Sequence, residues 1–475
     1  MKVWCGVGDV YGLPIHSISV LESYHMFNFP LLSLPFFSSP VVPYQFSGGG
    51  ITEIVIHILI QLAVILFVAK IAGELASRFL KVPPVLAELA AGGLIGPFAL
   101  GGILIPGFGA LFPIPMVDGH AAAIPVSNEL FVIAQVGSIF LLFAIGLETN
   151  LKQFLRYAGP ATAVAIGGVV IPFFLGAWAT VAFGFAGPAG IWSPSAMFIG
   201  AIMTATSVGI TARVLSDLAR LDSPEGVTVL AAAVVDDVLG ILVLTVVVGL
   251  SAAGEFTATG VGWIAFKAIA FWLGLTVVGI LAAPYIERII NRFKVSGAGL
   301  VLTVALALLA AGMAEIFGLA FIIGAFSIGL ALSTTKLGHT VEKEMIPVTN
   351  ILVPVFFVVM GMLVDVTSMM NAIWFGLVIS LLAILSKVFG SGIPALFTGF
   401  NLRGASRIGV GMMPRGEVAL IIAGIGLTNG IIGQDLFGVS IMMTVITTLL
   451  APIVLIPLFK RGGEGTRKPG TDNKT

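Results

Sequence analysis

The sequence predicts an all-α polytopic membrane protein of about 13 transmembrane helices, built as inverted repeats with two discontinuous helices that cross. Composition, the spacing of apolar runs and one recurring motif predict it. Of 475 residues, 58% are apolar and 10% charged, with a mean hydropathy of +1.11, against about 25% charged in soluble domains. The 23 basic and 23 acidic residues cannot cover a molecule of this size, so most of its surface faces lipid. Zero net charge gives no electrostatic footprint for nucleic acid. A single cysteine, Cys5, excludes a disulfide framework or a paired-cysteine metal site. The five histidines show no ligand spacing, so no cofactor is expected.

Apolar segments long enough to cross a hydrocarbon layer of ~30 Å fall at about 52–72, 83–101, 128–147, 158–184, 193–214, 226–250, 260–286, 297–315, 319–333, 346–365, 372–397, 404–428 and 432–459. Charge checks this division, because Lys and Arg collect in cytoplasmic connections. Alternate connections hold Arg78 and Lys81, Lys152 and Arg156, Arg213 and Arg220, Arg288, Arg292 and Lys294, Lys336 and Lys343, then Arg403 and Arg407. The connections between them contain neither residue type. The N-terminus is therefore expected outside and the C-terminus in the cytoplasm. Residues 1–50 are aromatic and Pro-rich without a long apolar run, and read as a disordered or processed extension. Residues 461–475 read as a short cytoplasmic tail, and no nucleotide-binding motif accompanies it.

Phe140–Leu151 at the close of the third span and Pro354–Asp365 at the close of the tenth share one pattern of apolar run, Gly, apolar residue and acid. The two spans are seven apart, an odd number, so the two halves enter the membrane with opposite polarity, an arrangement found in secondary transporters. Two spans further on, each half is interrupted. The fifth span contains Met203-Thr-Ala-Thr206-Ser207-Val-Gly209, and the twelfth contains Gly409-Val-Gly411-Met-Met-Pro414-Arg415-Gly416-Glu417. Pro removes a backbone donor and Gly loosens the helix. Unwound backbone at this depth persists only beside protein or a water-filled cavity, where half-helix ends supply partial charges for ions.

Asp236 and Asp237 stand mid-way through the sixth span, and Lys387 mid-way through the eleventh. A centred ion costs roughly 2.5–3.5 kcal/mol on insertion scales, so these residues pair or are hydrated. Neighbouring residues on a helix point about 100° apart. One acid therefore meets a neighbouring helix, with Lys387 as its natural partner, and the other faces a cavity. Arg415 is suited to neutralising crossing helix ends. Glu88, Glu148, Glu315 and Asp365 lie near span ends, where interfacial solvation suffices, and Lys267 can snorkel. The small-residue run Ala90–Pro97 permits close packing within or between subunits.

Over about residues 52–459, the thirteen spans, Thr206-Ser207, Val235-Asp236-Asp237, Phe356-Phe357 before Gly361-Met362, Lys387 and Pro414-Arg415-Gly416-Glu417 together resemble the monovalent cation:proton antiporter-2 family. The resemblance is to its NapA-type sodium/proton antiporters, with the Kef potassium/proton systems as relatives. It implies a NapA/NhaA-like antiporter fold within residues 51–460, with core helices at about 158–250 and 372–459. Scaffold or dimer helices fall at about 52–147 and 297–365, and a linker helix at 260–286. Asp237 then corresponds to the ion-binding carboxylate, Asp236 to the acid paired with Lys387, and Thr206 and Ser207 to ligands in the unwound helix. Glu417 corresponds to an accessory acid, and Arg415 is structural. The resemblance implies a homodimer in the bacterial plasma membrane or a thylakoid-type membrane. Such a protein needs no cofactor and exchanges Na+, with K+ or Li+ as alternatives, for H+. Among competing classes, a channel lacks a ring of acids or a filter loop, a sodium-coupled solute symporter would carry further polar residues, and an intramembrane hydrolase lacks a helix-centre histidine.

Overall fold

The computed structural model describes residues 51–80, 84–106, 109–117, 120–122, 124–251, 258–317, 319–365 and 372–467. The expected extension 1–50 and the end of the tail, 468–475, lie outside them. Fifteen α-helices are described: α1 (Ile51–Leu75, continued by a π-turn at Ala76–Leu80), α2 (Pro84–Ile95), α3 (Asn128–Glu148), α4 (Leu151–Ala182), α5 (Pro194–Thr204), α6 (Val208–Asp217), α7 (Pro224–Ser251), α8 (Ala258–Ile290), α9 (Ala298–Ile316), α10 (Phe321–Leu332), α11 (Lys336–Met362), α12 (Ile373–Phe397), α13 (Leu402–Gly411), α14 (Glu417–Thr428) and α15 (Gln434–Lys460). Two hairpins of two-residue strands, 104–105 with 109–110 and 116–117 with 120–121, ornament the connection between α2 and α3.

Polar side chains start several helices by accepting a bond from an otherwise orphaned amide: Ser127 from Leu130, Asn150 from Gln153, Thr335 from Gly338 and Asn401 from Gly404. Among the described residues, eleven helical stretches are long and apolar enough to cross a membrane. The other two expected passes differ. The pass at 319–333 is the 12-residue α10, about 18 Å long at 1.5 Å per residue. The pass at 404–428 is divided into α13 and α14. Helix α11 begins at Lys336, ten residues before the apolar run, because the Thr335 cap starts the helix in a charged stretch that hydropathy does not register.

Packing reproduces the repeat expected from the motif. Helix α3 packs on α10, and α11 packs on α2, its counterpart contact after a shift of seven passes. The motif glycines sit in these two contacts. A Cβ at Gly146 would strike the backbone of Phe326 and Gly329, and one at Gly361 would strike that of Leu89 and Gly92. The run Ala90–Pro97 is thus consumed, at Gly92, by a contact within the subunit. Helices α4 and α12 also meet at paired glycines, since a Cβ on Gly167 or Gly390 would collide with the carbonyl of the other. Around α4 and α12 are gathered α5, α7, α13 and α15. On α1 the buried residues His57, Gln61, Ile65, Ala69 and Gly73 form one stripe at spacing four, while Leu59, Phe67 and Leu75 are exposed, as are Trp263, Phe266 and Leu281 on α8 and Val301 and Leu309 on α9. An apolar outer surface of this kind suits lipid.

Candidate functional site

Two interruptions meet at the site. Helix α5 ends at Thr204 and α6 starts at Val208; Ala205 (ψ 141°) and Ser207 (ψ 105°) between them are extended. Helix α13 ends at Gly411, and the chain runs without helix through Met413, Pro414, Arg415 and Gly416 to α14. The strands of backbone bond directly: Ser207 N donates to Pro414 O at 2.8 Å. The Thr211 hydroxyl donates to Gly411 O at 2.6 Å, satisfying one of the carbonyls left open at the end of α13. Gly416 lies against Ser207 so closely that a Cβ would meet its Cβ and Oγ. Thr206 and Ser207 are both buried, and Ser207 Oγ has no hydrogen-bond partner among the described residues. In a transport site such a hydroxyl is a ready oxygen ligand.

Arg415 is fully buried in the second interruption and belongs to no helix. Its guanidinium donates to Met413 O at 2.6 Å, to Met203 O at 2.7 Å and to Ala383 O at 3.3 Å. Met203 O lies in the last turn of α5, where partial negative charge accumulates, so the cation rests against a half-helix end. Its backbone carbonyl accepts a bond from the Thr448 hydroxyl of α15.

The acid pair is resolved by geometry. Lys387 Nζ of α12 lies 2.7 Å from Asp236 Oδ1 of α7, with both side chains inaccessible. The Thr206 hydroxyl of the first interruption points to Met412 O of the second, at 3.5 Å. Asp237, the next residue, is 7% exposed and close enough to act electrostatically on Lys387. Gly168 on α4 lies beside the pair, where a Cβ would strike Ser391 Oγ of α12 and touch Lys387 Nζ at 3.4 Å. Thr206, Ser207, Asp236, Asp237, Lys387 and Arg415 therefore gather at the crossing. Glu417 is the first residue of α14, and its side chain lies outside the described part of the structure.

Beside the crossing lies a cavity of about 190 Å³ between α2 and α11 on one side and α6, α14 and α15 on the other. Leu89, Gly93, Ile210 and Leu420 line it, and Arg415 and Gly416 border it.

Three charges are buried that the sequence-based expectations did not place inside the protein: Arg407, Glu225 and Glu88. Arg407 enters them only as a basic residue of a connection, yet it is 5% exposed and ties α13 to α7 through Glu225 at 2.6 Å. It also donates to the carbonyls of Leu458, Gly462 and Gly463, so the tail folds back onto the end of α13. The glycine run Gly462-Gly463 was the available signal, both residues having φ values, 66° and 80°, that favour glycine. Glu88, expected to be solvated at an interface, is 2% exposed. The stripe of α2 that packs on α11 turns it inward, and position along a span says nothing about depth within protein.

The chain matches, over residues 63–461, the family described as sodium/hydrogen exchanger, transmembrane. It is 38% identical over 439 residues, 88% of this chain and 92% of the relative, to the high-affinity Na+/H+ antiporter NhaS3 of Synechocystis sp.. It is 34% identical over 396 residues, 83% of this chain and 94% of the relative, to the Na+/H+-K+ antiporter GerN of Bacillus cereus. The solved sodium proton antiporter MjNhaP1 of Methanocaldococcus jannaschii superimposes with a TM-score of 0.66 at 20% identity, over 87% of this chain and 100% of that one, a likeness of fold. With a family match spanning most of its length and relatives aligned nearly end to end, the chain belongs to the transmembrane sodium/hydrogen exchanger family.

Proposed function

We propose that the protein is a secondary active antiporter that exchanges Na+ for H+ by alternating access, with both ions competing for Asp237. The observation that carries the reading is the Lys387–Asp236 ion pair at the crossing of two broken helices. Lys387 occupies Asp236, and the adjacent Asp237, about 100° further round α7, is the carboxylate that changes load. Thr206 and Ser207 supply hydroxyl and carbonyl oxygen to the cation, Glu417 acts as an accessory acid, and Arg415 holds the half-helices. A proton or a dehydrated alkali cation each neutralises Asp237, so the loaded core crosses the barrier while the empty, charged core is held back by desolvation. Exchange follows from the ion gradients alone.

Within the family we assign the chain to the NapA-type branch of the antiporter-2 proteins, supported by the adjacent acid pair and Lys387. The core at about 158–250 and 372–459 moves against a scaffold at about 52–147 and 297–365, which also forms a homodimer; helix 260–286 links them. The cavity beside α2 and α11 supports that division. The N-terminus is outside and the C-terminus cytoplasmic, supported by the alternation of basic connections. The membrane is bacterial plasma membrane, with a thylakoid-type membrane as the alternative. Potassium is the second cargo reading, favoured by the 34% identity to a relative named for K+ as well as Na+.

Purified protein in liposomes tests the assignment. An imposed Na+ gradient should move protons, read by a pH-sensitive dye, and the signal should vanish in Asp237→Asn. Lowering the pH by one unit where protons occupy most sites should raise the apparent KM for Na+ about tenfold, as simple competition requires. Wild-type-like exchange in Asp237→Asn refutes the assignment.

A further inference from the structure

Glu88 is a buried carboxyl that the exchange scheme above does not use. It lies in the first turns of α2, a helix fixed to α11 by the Gly92–Gly361 contact. It is 2% exposed, and its Oε2 has no hydrogen-bond partner among the described residues. Among the described residues the other buried acid outside the ion site, Glu225, is matched by Arg407. Charged groups reach Glu88 from two directions. Arg213 and Asp217 of the half-helix α6 and Lys70 of α1 act on it electrostatically, while the adjoining π-turn carries Arg78 and the residues of α11 that meet the glycines of α2, Val358, Gly361 and Met362, are not titratable. Arg213 is engaged elsewhere, with Nε 3.1 Å from Asp217 Oδ1, and that pair is 21% and 30% exposed. Water therefore stands one side chain away from a carboxyl lodged between scaffold and core.

Burying an ionised carboxylate with an unbonded oxygen is unfavourable, so the arrangement suits the neutral acid. We propose that Glu88 is a positioning residue for the conformational step: it holds a proton while α6 lies against α2 as here, and releases it to the adjacent water when the core moves and Arg213 exchanges Asp217 for the new carboxylate. The proton returns from the same solution when the core moves back, so it is not among the ions exchanged. Protonation of Glu88 thereby biases the core–scaffold equilibrium, and the rate of exchange gains a pH dependence separate from competition at Asp237. This rests on the antiport reading.

The test compares full-length wild type, Glu88→Gln, Glu88→Asp and Arg213→Gln in liposomes, measuring Na+-driven proton movement from about pH 6 to 9. Gln fixes the neutral form, so the ratio of rates at pH 8.5 and 6.5 should fall by about threefold or more. Asp should preserve the wild-type ratio, and the KM for Na+ at pH 8.5 should stay within about twofold in every variant, because the ion site is untouched. Arg213→Gln, at a partly exposed position that spares α2, should flatten the profile in the same way. Profiles of Glu88→Gln and Arg213→Gln that superimpose on wild type after scaling, including a uniform loss with a lowered melting temperature, overturn the proposal. Wild-type protein that moves no protons under a Na+ gradient defeats the antiport reading itself, which separates the two failures.

Discussion

Lys387 shows how much one side chain can hold in place. It reaches from α12 and ends on Asp236 of α7, so one ion pair ties two helices together inside the protein. A buried pair is seldom a net gain over apolar residues of the same size, but removing one partner leaves an uncompensated charge and costs about 3–5 kcal/mol. Lys387→Met should therefore lower the thermal midpoint in detergent by that equivalent. Adding Asp236→Asn in the same chain should recover at least half of the loss; a midpoint unchanged by Lys387→Met would show that the pair is not holding the fold. The three ions were visible in the sequence because a charge inside an apolar run is conspicuous. Helix geometry alone left open which acid takes the lysine, since two residues about 100° apart are separable only once a neighbour is placed, and only the family resemblance pointed to Asp236. Glu88 was read as solvated for a related reason: a helix end close to the interface along its axis can still be enclosed laterally.

The broken helices are the elements on which the site depends. Their interruptions were legible as Thr-Ser-Val-Gly and as Gly-Met-Met-Pro-Arg-Gly, where helix propensity is low and an amide is missing. Their mutual contact was not legible, because Ser207 and Pro414 are more than two hundred residues apart. Gly416 makes that contact possible, and Gly416→Val should push Ser207 and the crossing apart. An overpacked site of this kind loses about 1–3 kcal/mol, and exchange should fall at least about tenfold in the liposome assay. Gly433→Ala, where a Cβ meets nothing within 4 Å, serves as the matched control and should exchange normally. Equal rates in the two variants would show that the close approach at Gly416 is dispensable. Midway along α13, Arg407 binds Glu225 of α7 and the carbonyls that follow α15. The half-helix is thereby anchored to the helix that carries the acids.

At the scale of the molecule, the proposed motion needs a face along which α6, α14 and α15 can slide past α2 and α11, and the cavity of about 190 Å³ lies along that face. Gly93 lines it, with a Cβ there meeting only Gly361 O at 3.7 Å. Gly93→Leu should therefore be accommodated in the space without lowering the thermal midpoint. It should slow exchange by about tenfold or more if the face must slide, whereas a fast and stable Gly93→Leu protein would count against motion there. The repeat itself was readable from Gly146 and Gly361, whose identity as contact residues follows from their matched place in two apolar runs. The pairing partners, Gly329 and Gly92, emerged from packing.

Hydropathy, alternating charge and the two interrupted spans by themselves determined a many-pass helical protein with ions at mid-depth, because each is a local property that lipid forces on a chain. Tertiary structure alone decided which carbonyls Arg415 reaches, that Arg407 meets Glu225 and that Glu88 is enclosed. Those outcomes depend on which faces of distant helices meet, and burial and pairing are properties of the contact, which no single segment carries.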